Sequence, residues 1–397
     1  MSLLFFLTFI YFNLSFYIFP SEFNLIKYIL IFVLFVFIIR DYRILFSKNY
    51  KVLNILLCIF IFFILFSSFL CSLDTGLRKL IPLISPNIGI SFSAIVFLSF
   101  FFIEIIYYKG YIKPFIKYLF RIITLYVIIV DLYVFTHLST PELETSAIYL
   151  IGDKFQVVYL HLMWCSIYVY RSILLSKRKR TNLKLYIFLF ISLIVSRSVY
   201  CSTGVIGVII FFLFFLFQTL LKRFIYNPQL ITLLILVSSF FVFTVEKILE
   251  IPIVQHIIED VLHEDLTLTG RTVIYSYLAV LISEKPFFGY GYGNSSFIVS
   301  HAVGFGNAQN AVLDSLVNYG LVGFISLIII LYYIIYKYCT SSASFVFLVL
   351  LYIYAIMGLV EITMGQCFVL LLPLLLLTQK QKLYGKTSFS SNPNIRC

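Results

Sequence analysis

Apolar residues run along this chain in blocks separated by short polar punctuation, and the blocks carry no strict alternation within them. Twelve stand out, at about 3–19, 24–39, 52–70, 88–106, 119–138, 155–175, 183–196, 203–220, 230–246, 319–336, 344–360 and 365–378. Several approach the length of about 20 residues that crosses a hydrocarbon core as a helix. The shorter ones imply tilting or local thinning of the bilayer. Inside lipid each backbone amide needs a partner within its own segment, so helices are predicted throughout. The weak alternating strands of a membrane barrel do not occur. The expected fold is all-α and polytopic, with about twelve transmembrane helices and one long extracytoplasmic loop carrying amphipathic helices.

Composition agrees. Of 397 residues, 62% are hydrophobic, 19% aromatic and 12% charged, against roughly a quarter charged in a soluble domain. With a mean hydropathy of +1.05, too little polar surface exists to cover a body in water. The net charge of +12 is mainly a topology signal. With both termini in the cytoplasm, most Lys and Arg fall on inner turns, including Arg40, Arg43, Lys109, Lys113, Arg178 and Arg180. The outer segments keep only Lys27, Arg78, Lys79, Lys154, Arg197, Lys247, Arg271 and Lys285, as the positive-inside bias requires. Basic residues spread over turns in this way argue against a nucleic-acid partner. The N-terminus lacks a basic n-region and a small-residue cleavage site, so it reads as a first span. Seven cysteines lie singly, and their odd number and spacing argue against a disulfide framework.

One connection breaks the rhythm. Residues 247–318 form a long outer loop, too rich in aromatic and aliphatic residues for a disordered linker, and long loops of this kind are usually functional. The chain therefore divides into helices 1–9 over 1–246, the loop over 247–318, helices 10–12 over 319–380 and a polar cytoplasmic tail over 381–397. Within the loop, Thr269 and Gly270 make a turn and Arg271 starts a helix whose apolar face is Ile274, Leu278 and Leu281. That helix is expected at the membrane interface. Pro286 ends it, and Gly289, Gly291 and Gly293 form a tightly turning hinge. Asn307 or Asn310 then caps the helix leading into the tenth span.

Arg197 stands at the outer end of the seventh span, where the charge bias predicts no cation. It shares the outer face with Arg271, and Arg is suited to forked binding of phosphate oxygens. A phosphorylated lipid headgroup is the natural ligand for the pair. From about 194 to 362 the chain resembles the O-antigen ligase and polysaccharide repeat-unit polymerase family. The resemblance rests on Ser196–Arg197–Ser198 at a span end, the Thr269–Gly270–Arg271 motif, and the run from Lys285 to Asn294. It rests also on Gln309–Asn310, on Tyr319 to Gly323, and on Gly358 to Ile362. The order and spacing of these motifs are specific together.

The resemblance implies transfer of an oligosaccharide from a polyprenyl-diphosphate carrier to a hydroxyl acceptor on the outer leaflet, with no cofactor, nucleotide sugar or metal. It makes Arg197 and Arg271 the residues that hold the diphosphate, and Gln309 and Asn310 the matching positions of a His–Asn pair. Gln309 has no titratable nitrogen and cannot act as a base, so its role narrows to hydrogen-bonding the acceptor or a phosphate oxygen. His301, Asp314, Glu361 and Asp265 are left as candidate bases. Gly270, Gly291, Asn294, His301 and Glu361 are the candidate substrate-binding positions.

Two further signals have blander readings. His256, Asp260 and His263 share one helical face with zinc-ligand residue types, but the opposite apolar face makes this an interfacial helix with a solvated side. Asp131 and His161 are costly in lipid and are expected to face the bundle interior, where they can pair. The expected protein is thus a membrane glycosyltransferase of a bacterial inner membrane that polymerises capsule or O-antigen repeat units. Its partners are the lipid-linked donor and acceptor, the bilayer and a chain-length regulator. A ligase-type transferase and a transporter or flippase of lipid-linked sugars are the alternatives.

Overall fold

A computed structural model describes residues 2–16, 24–137, 149–175, 183–237, 250–256, 271–304 and 306–379. Nearly every apolar block becomes a helix. The helices are α1 (Ser2–Phe16), α2 (Asn24–Ile39), α3 (Lys51–Leu73), α4 (Thr75–Leu80), α5 (Asn87–Tyr108) and α6 (Ile112–Thr136). They continue with α7 (Lys154–Leu175), α8 (Leu183–Ser198), α9 (Ser202–Leu216), α10 (Gln218–Ile225), α11 (Pro228–Val237) and α12 (Pro252–His256). The last are α13 (Arg271–Glu284), α14 (Ser295–Val303), α15 (Ala311–Tyr338), α16 (Ser344–Met357) and α17 (Gln366–Leu376). Among the described residues, the only β pairing is an isolated bridge between Tyr149 and Gly152.

Among the described residues five helices, α3, α5, α6, α7 and α15, are long and apolar enough to cross a bilayer. The protein is an integral membrane protein. α9 and α10 form one further apolar run that bends by 103° around Phe217. The eighth block therefore stops as a straight helix at Leu216 and not at 220. α10 carries Lys222 and Arg223 in its last turn, a pattern suited to a helix lying along a membrane surface. Shorter apolar helices, α1, α2, α11, α16 and α17 among them, complete the bundle. The ninth block runs on into 238–246, outside the described residues.

The main core is built by α3 against α15 and α5, α5 against α17, α6 against α1 and α7, and α8 against α7 and α9. Asp131 on α6 meets His161 on α7 at 2.9 Å, as the sequence allowed, and Ser192 on α8 lies 3.2 Å from the other imidazole nitrogen. This polar contact ties three helices together inside the apolar bundle.

A second, smaller core forms a cap at one end. Ile274 and Leu278 of α13 pack with Cys71 at the end of α3, Ile81 after α4, Ile298 of α14 and Val317 of α15. The face of α13 expected on the membrane interface is thus turned onto protein, because the 72–86 connection and α14 supply it with apolar partners. The opposite face, with Val273, Tyr277 and Val280, is the exposed one. Lys285 closes the cap onto α3 through an ion pair with Asp74 at 2.5 Å.

The glycine run after Pro286 turns tightly, with positive φ at Gly289, Gly291 and Gly293, but it is bolted down on both sides. Gly291 donates its N–H to Ser67 on α3 at 3.1 Å, and Gly293 donates to the Asn318 side chain on α15 at 2.8 Å. A side chain at Gly291 would press on Cys71 and Ser68 of α3. Tyr292 stacks on Phe92 of α5 at 3.8 Å. α15 starts at Ala311, eight residues before the expected span, because Asn310 caps it. Gly320 (φ 66°, ψ −174°) then interrupts its helical backbone. Residues 311–319 serve the cap, and the rest of α15 runs through the bundle.

Candidate active site

α8 ends at a sharp corner. Tyr200 takes a positive φ of 51°, and Cys201 N–H returns to the Ser196 carbonyl at 2.9 Å. The corner leaves Arg197 exposed, with its guanidinium 5.9 Å from the Tyr200 ring centroid. Lys154, the first residue of α7, donates from Nζ to the Tyr200 carbonyl at 3.1 Å. Lys154 is thus a second cation at the Arg197 corner, brought there by the packing of α7 on α8 and α9.

The link between α16 and α17 comes to the same end of α7. Tyr159, less than two turns along α7, donates its hydroxyl to the Ile362 carbonyl at 3.3 Å. Glu361 is 5% exposed and acts electrostatically on Tyr159 and on Cys201. The link is in turn joined to the start of α15. Ala311 N–H donates to the Gly358 carbonyl at 2.9 Å, and Asn310 Nδ2 to the Leu359 carbonyl at 3.1 Å. Asn310 Oδ1 meanwhile caps α15 by accepting the N–H groups of Val312 and Leu313, both at 3.0 Å. The Asn310 side chain is completely buried, so its visible work is structural: it fixes Gln309 against the α16–α17 link.

Gln309 is held in the left-handed region, with φ 44°, which costs a non-glycine residue free energy and marks a constrained position. Its carbonyl accepts the Tyr275 hydroxyl of α13 at 3.0 Å. Its side-chain Oε1 is buried and meets no hydrogen-bond donor among the described residues. Arg271 opens α13 one turn before Tyr275. A continuous set of contacts therefore runs from the Arg197 corner through α7, the α16–α17 link and Gln309–Asn310 to the start of α13.

The other sequence candidates sit as follows. Gly270 and Asp265 lie outside the described residues, as do Asp260 and His263 of the zinc-type pattern. Gly291 and Asn294 belong to the bolted run. Asn294 is fully buried, accepts Ser85 N–H at 3.1 Å and donates to the Tyr290 carbonyl at 3.1 Å. His301 is exposed on α14. Asp314 is buried with its two oxygens engaged by Ser295 Oγ at 2.5 Å and Asn318 Nδ2 at 2.9 Å. The structure thus groups Arg197, Gln309, Asn310 and Glu361 with the start of α13, and places Gly291, Asn294 and Asp314 in the cap's framework.

Two residues of this end were not singled out from sequence as site residues, Asp153 and Lys154. Asp153 Oδ1 accepts the Gln156 N–H at 3.0 Å and caps α7. Asp153 is exposed to solvent at the start of α7. Burial raises its pKa above the ordinary carboxylate range, outweighing the backbone amides of Gln156 and Phe155 and the charge of Lys154, which act the other way. An Asp three residues before Gln at the start of an apolar block is a helix-start signature, but only tertiary packing brings it to Arg197.

Residues 183–328 match the family model for O-antigen ligase. Over that segment the chain is similar to the O-antigen ligase family. The matched segment begins with α8, takes in the Arg197 corner, α13 and Gln309–Asn310, and stops at Ile328 within α15. The Gly358–Ile362 motif and the Asp153–Lys154 turn lie beyond it, although the fold packs both against it. The similarity points to ligase- or polymerase-type glycosyl transfer by a membrane enzyme. No curated protein and no solved structure matches the chain.

Proposed function

We propose that the protein joins oligosaccharide repeat units, carried on a polyprenyl diphosphate, into a surface polysaccharide, and that the chemistry takes place at the Arg197 end of the bundle. The supporting observation is the hydrogen-bonded path that gathers the Arg197 corner, the Glu361 link, Gln309 and the first turn of α13. In this reading Arg197 and Arg271 hold the diphosphate. As the sugar–phosphate bond breaks, negative charge grows on the leaving phosphate oxygen, and preorganised guanidinium groups stabilise it. Each charge-assisted hydrogen bond of this kind is worth about 1.5–3 kcal/mol.

Gln309 takes the acceptor side. Its Oε1 can only accept a hydrogen bond, so an unmatched buried Oε1 calls for a donor such as a sugar hydroxyl and not for a phosphate oxygen. The lipid-linked donor and acceptor enter from the outer leaflet of a bacterial inner membrane, and a chain-length regulator sets when extension stops.

The test is to incubate the purified protein with a defined polyprenyl-diphosphate oligosaccharide. A ladder of products, unaffected by EDTA and abolished in R197A and R271A, is the expected result. A ladder of normal length from R197A would overturn the diphosphate role. Addition of a single unit to a different lipid acceptor would replace the polymerase by a ligase.

A further inference from the structure

We propose that Asp153 accepts the proton of the attacking sugar hydroxyl, the task for which Gln309 has no chemistry. The inference rests on the transfer reaction proposed above. Asp153 is held rigidly. The turn before it is closed by backbone bonds from Tyr149 N–H to the Gly152 carbonyl at 2.7 Å and from Gly152 N–H to the Tyr149 carbonyl at 3.0 Å. The Gln156 bond then fixes the carboxyl at the start of α7. The next residue, Lys154, is anchored on the Tyr200 carbonyl, three residues along the chain from Arg197.

Its surroundings suit the role. Asp153 acts electrostatically on Tyr159 of its own helix, on Cys201 at the α8–α9 corner, and on Cys367 of α17. Glu361 shares two of these neighbours, and Lys154 and Arg197 supply the positive charge. Among the described residues, the two other carboxylates named as candidate bases fit less well. Asp314 is spent on Ser295 and Asn318, and Glu361 is sealed from solvent. A plain helix-capping carboxylate has its proton affinity lowered by the amides it accepts. At Asp153 burial reverses the direction, and a raised proton affinity is what a base working near neutral pH needs.

The step balances without any further reagent. The acceptor oxygen forms a bond to the anomeric carbon of the donor sugar. The bond from that carbon to the diphosphate breaks, and its electron pair leaves on the phosphate oxygen facing Arg197 and Arg271. The hydroxyl proton passes to the Asp153 carboxylate and from there to water.

The full-length protein in lipid nanodiscs, assayed with the same defined lipid-linked oligosaccharide from pH 5 to 9, decides the matter. Asn and Ser cap helices about as well as Asp, so D153N and D153S keep α7 intact while removing the base. Both are expected to lose about 100-fold or more in turnover, with the donor KM little changed and the acidic limb of the rate profile abolished. D153E should recover part of the rate with a displaced limb. Wild-type turnover in D153N overturns the proposal. So does slow turnover with an unaltered pH profile, or loss of folding in both cap-competent variants, because either result makes Asp153 purely structural. Absence of transfer by the wild-type protein, or normal transfer by R197A, would instead sink the reaction itself.

Discussion

The Tyr275 hydroxyl donates to the backbone carbonyl of Gln309 at 3.0 Å, joining the helix that Arg271 opens to the strained residue beside the α16–α17 link. One hydrogen bond thereby couples the expected donor and acceptor sides. In Y275F that bond is lost at a cost of about 0.5–1.5 kcal/mol. Polymer synthesis should slow more than the small fall in thermal stability accounts for, measured as initial rate and unfolding midpoint on the same preparation.

Among the described residues Arg197 makes no ion pair at its exposed corner, so its substitution should leave folding alone. R197K keeps the charge but not the planar fork. Transfer should fall roughly 10- to 100-fold, equivalent to about 1.5–3 kcal/mol for a charge-assisted bond, and R197A should fall further. Equal rates in the Lys variant and the wild type would show that a point charge suffices.

Gly320 occupies a backbone region open essentially to glycine alone. A Cβ there would lie 2.3 Å from the Phe287 carbonyl carbon and oxygen. G320A should therefore cost more than the roughly 1–3 kcal/mol of backbone strain by itself. The cap should separate from α15, seen as faster hydrogen exchange in 286–293.

The Asp131–His161 contact lies between α6 and α7 within the apolar bundle. Removing one partner leaves a buried polar atom of the other without its hydrogen bond, with an expected cost of about 1–3 kcal/mol for H161A or D131A. The double variant D131A/H161A should be less damaged than the sum of the singles in thermal unfolding of the detergent-solubilised protein. Strict additivity would mean that the pair contributes nothing jointly.

Asp74 is held below the ordinary carboxylate range, chiefly by its hydrogen bond to Lys285 and then by the Leu77 amide. Its stabilisation is present above the unfolded carboxyl pKa of about 3.9 and disappears as pH falls through the lower folded value. Both side chains are about a third exposed, so the pair is worth about 0.2–1 kcal/mol and is screened by salt. Cap stability, followed by hydrogen exchange in α13, should drop below about pH 4 in the wild type, and K285A should flatten that dependence.

Much of this was legible in the sequence. Apolar blocks of helical length name membrane helices because unsatisfied amides are intolerable in lipid. Asn307 and Asn310 both read as caps because a position before an apolar run is a local signal, and the fold uses Asn310. α13 shows where local reading ends. Its Ile274–Leu278 stripe was visible, but whether protein or membrane covers such a stripe depends on residues nearly 200 positions away.

By itself, then, the sequence determined the helical membrane class and the ligase-type motifs, both of which follow from short-range pattern and residue chemistry. Tertiary structure alone decided that Lys154 reaches the Arg197 corner, that Asn310 clasps the Glu361 link, and that Gly291 and Asn294 bolt the cap instead of swinging as a hinge. Those are contacts between distant segments, and no periodicity encodes them. They arise because each helix buries whichever face its neighbours can match.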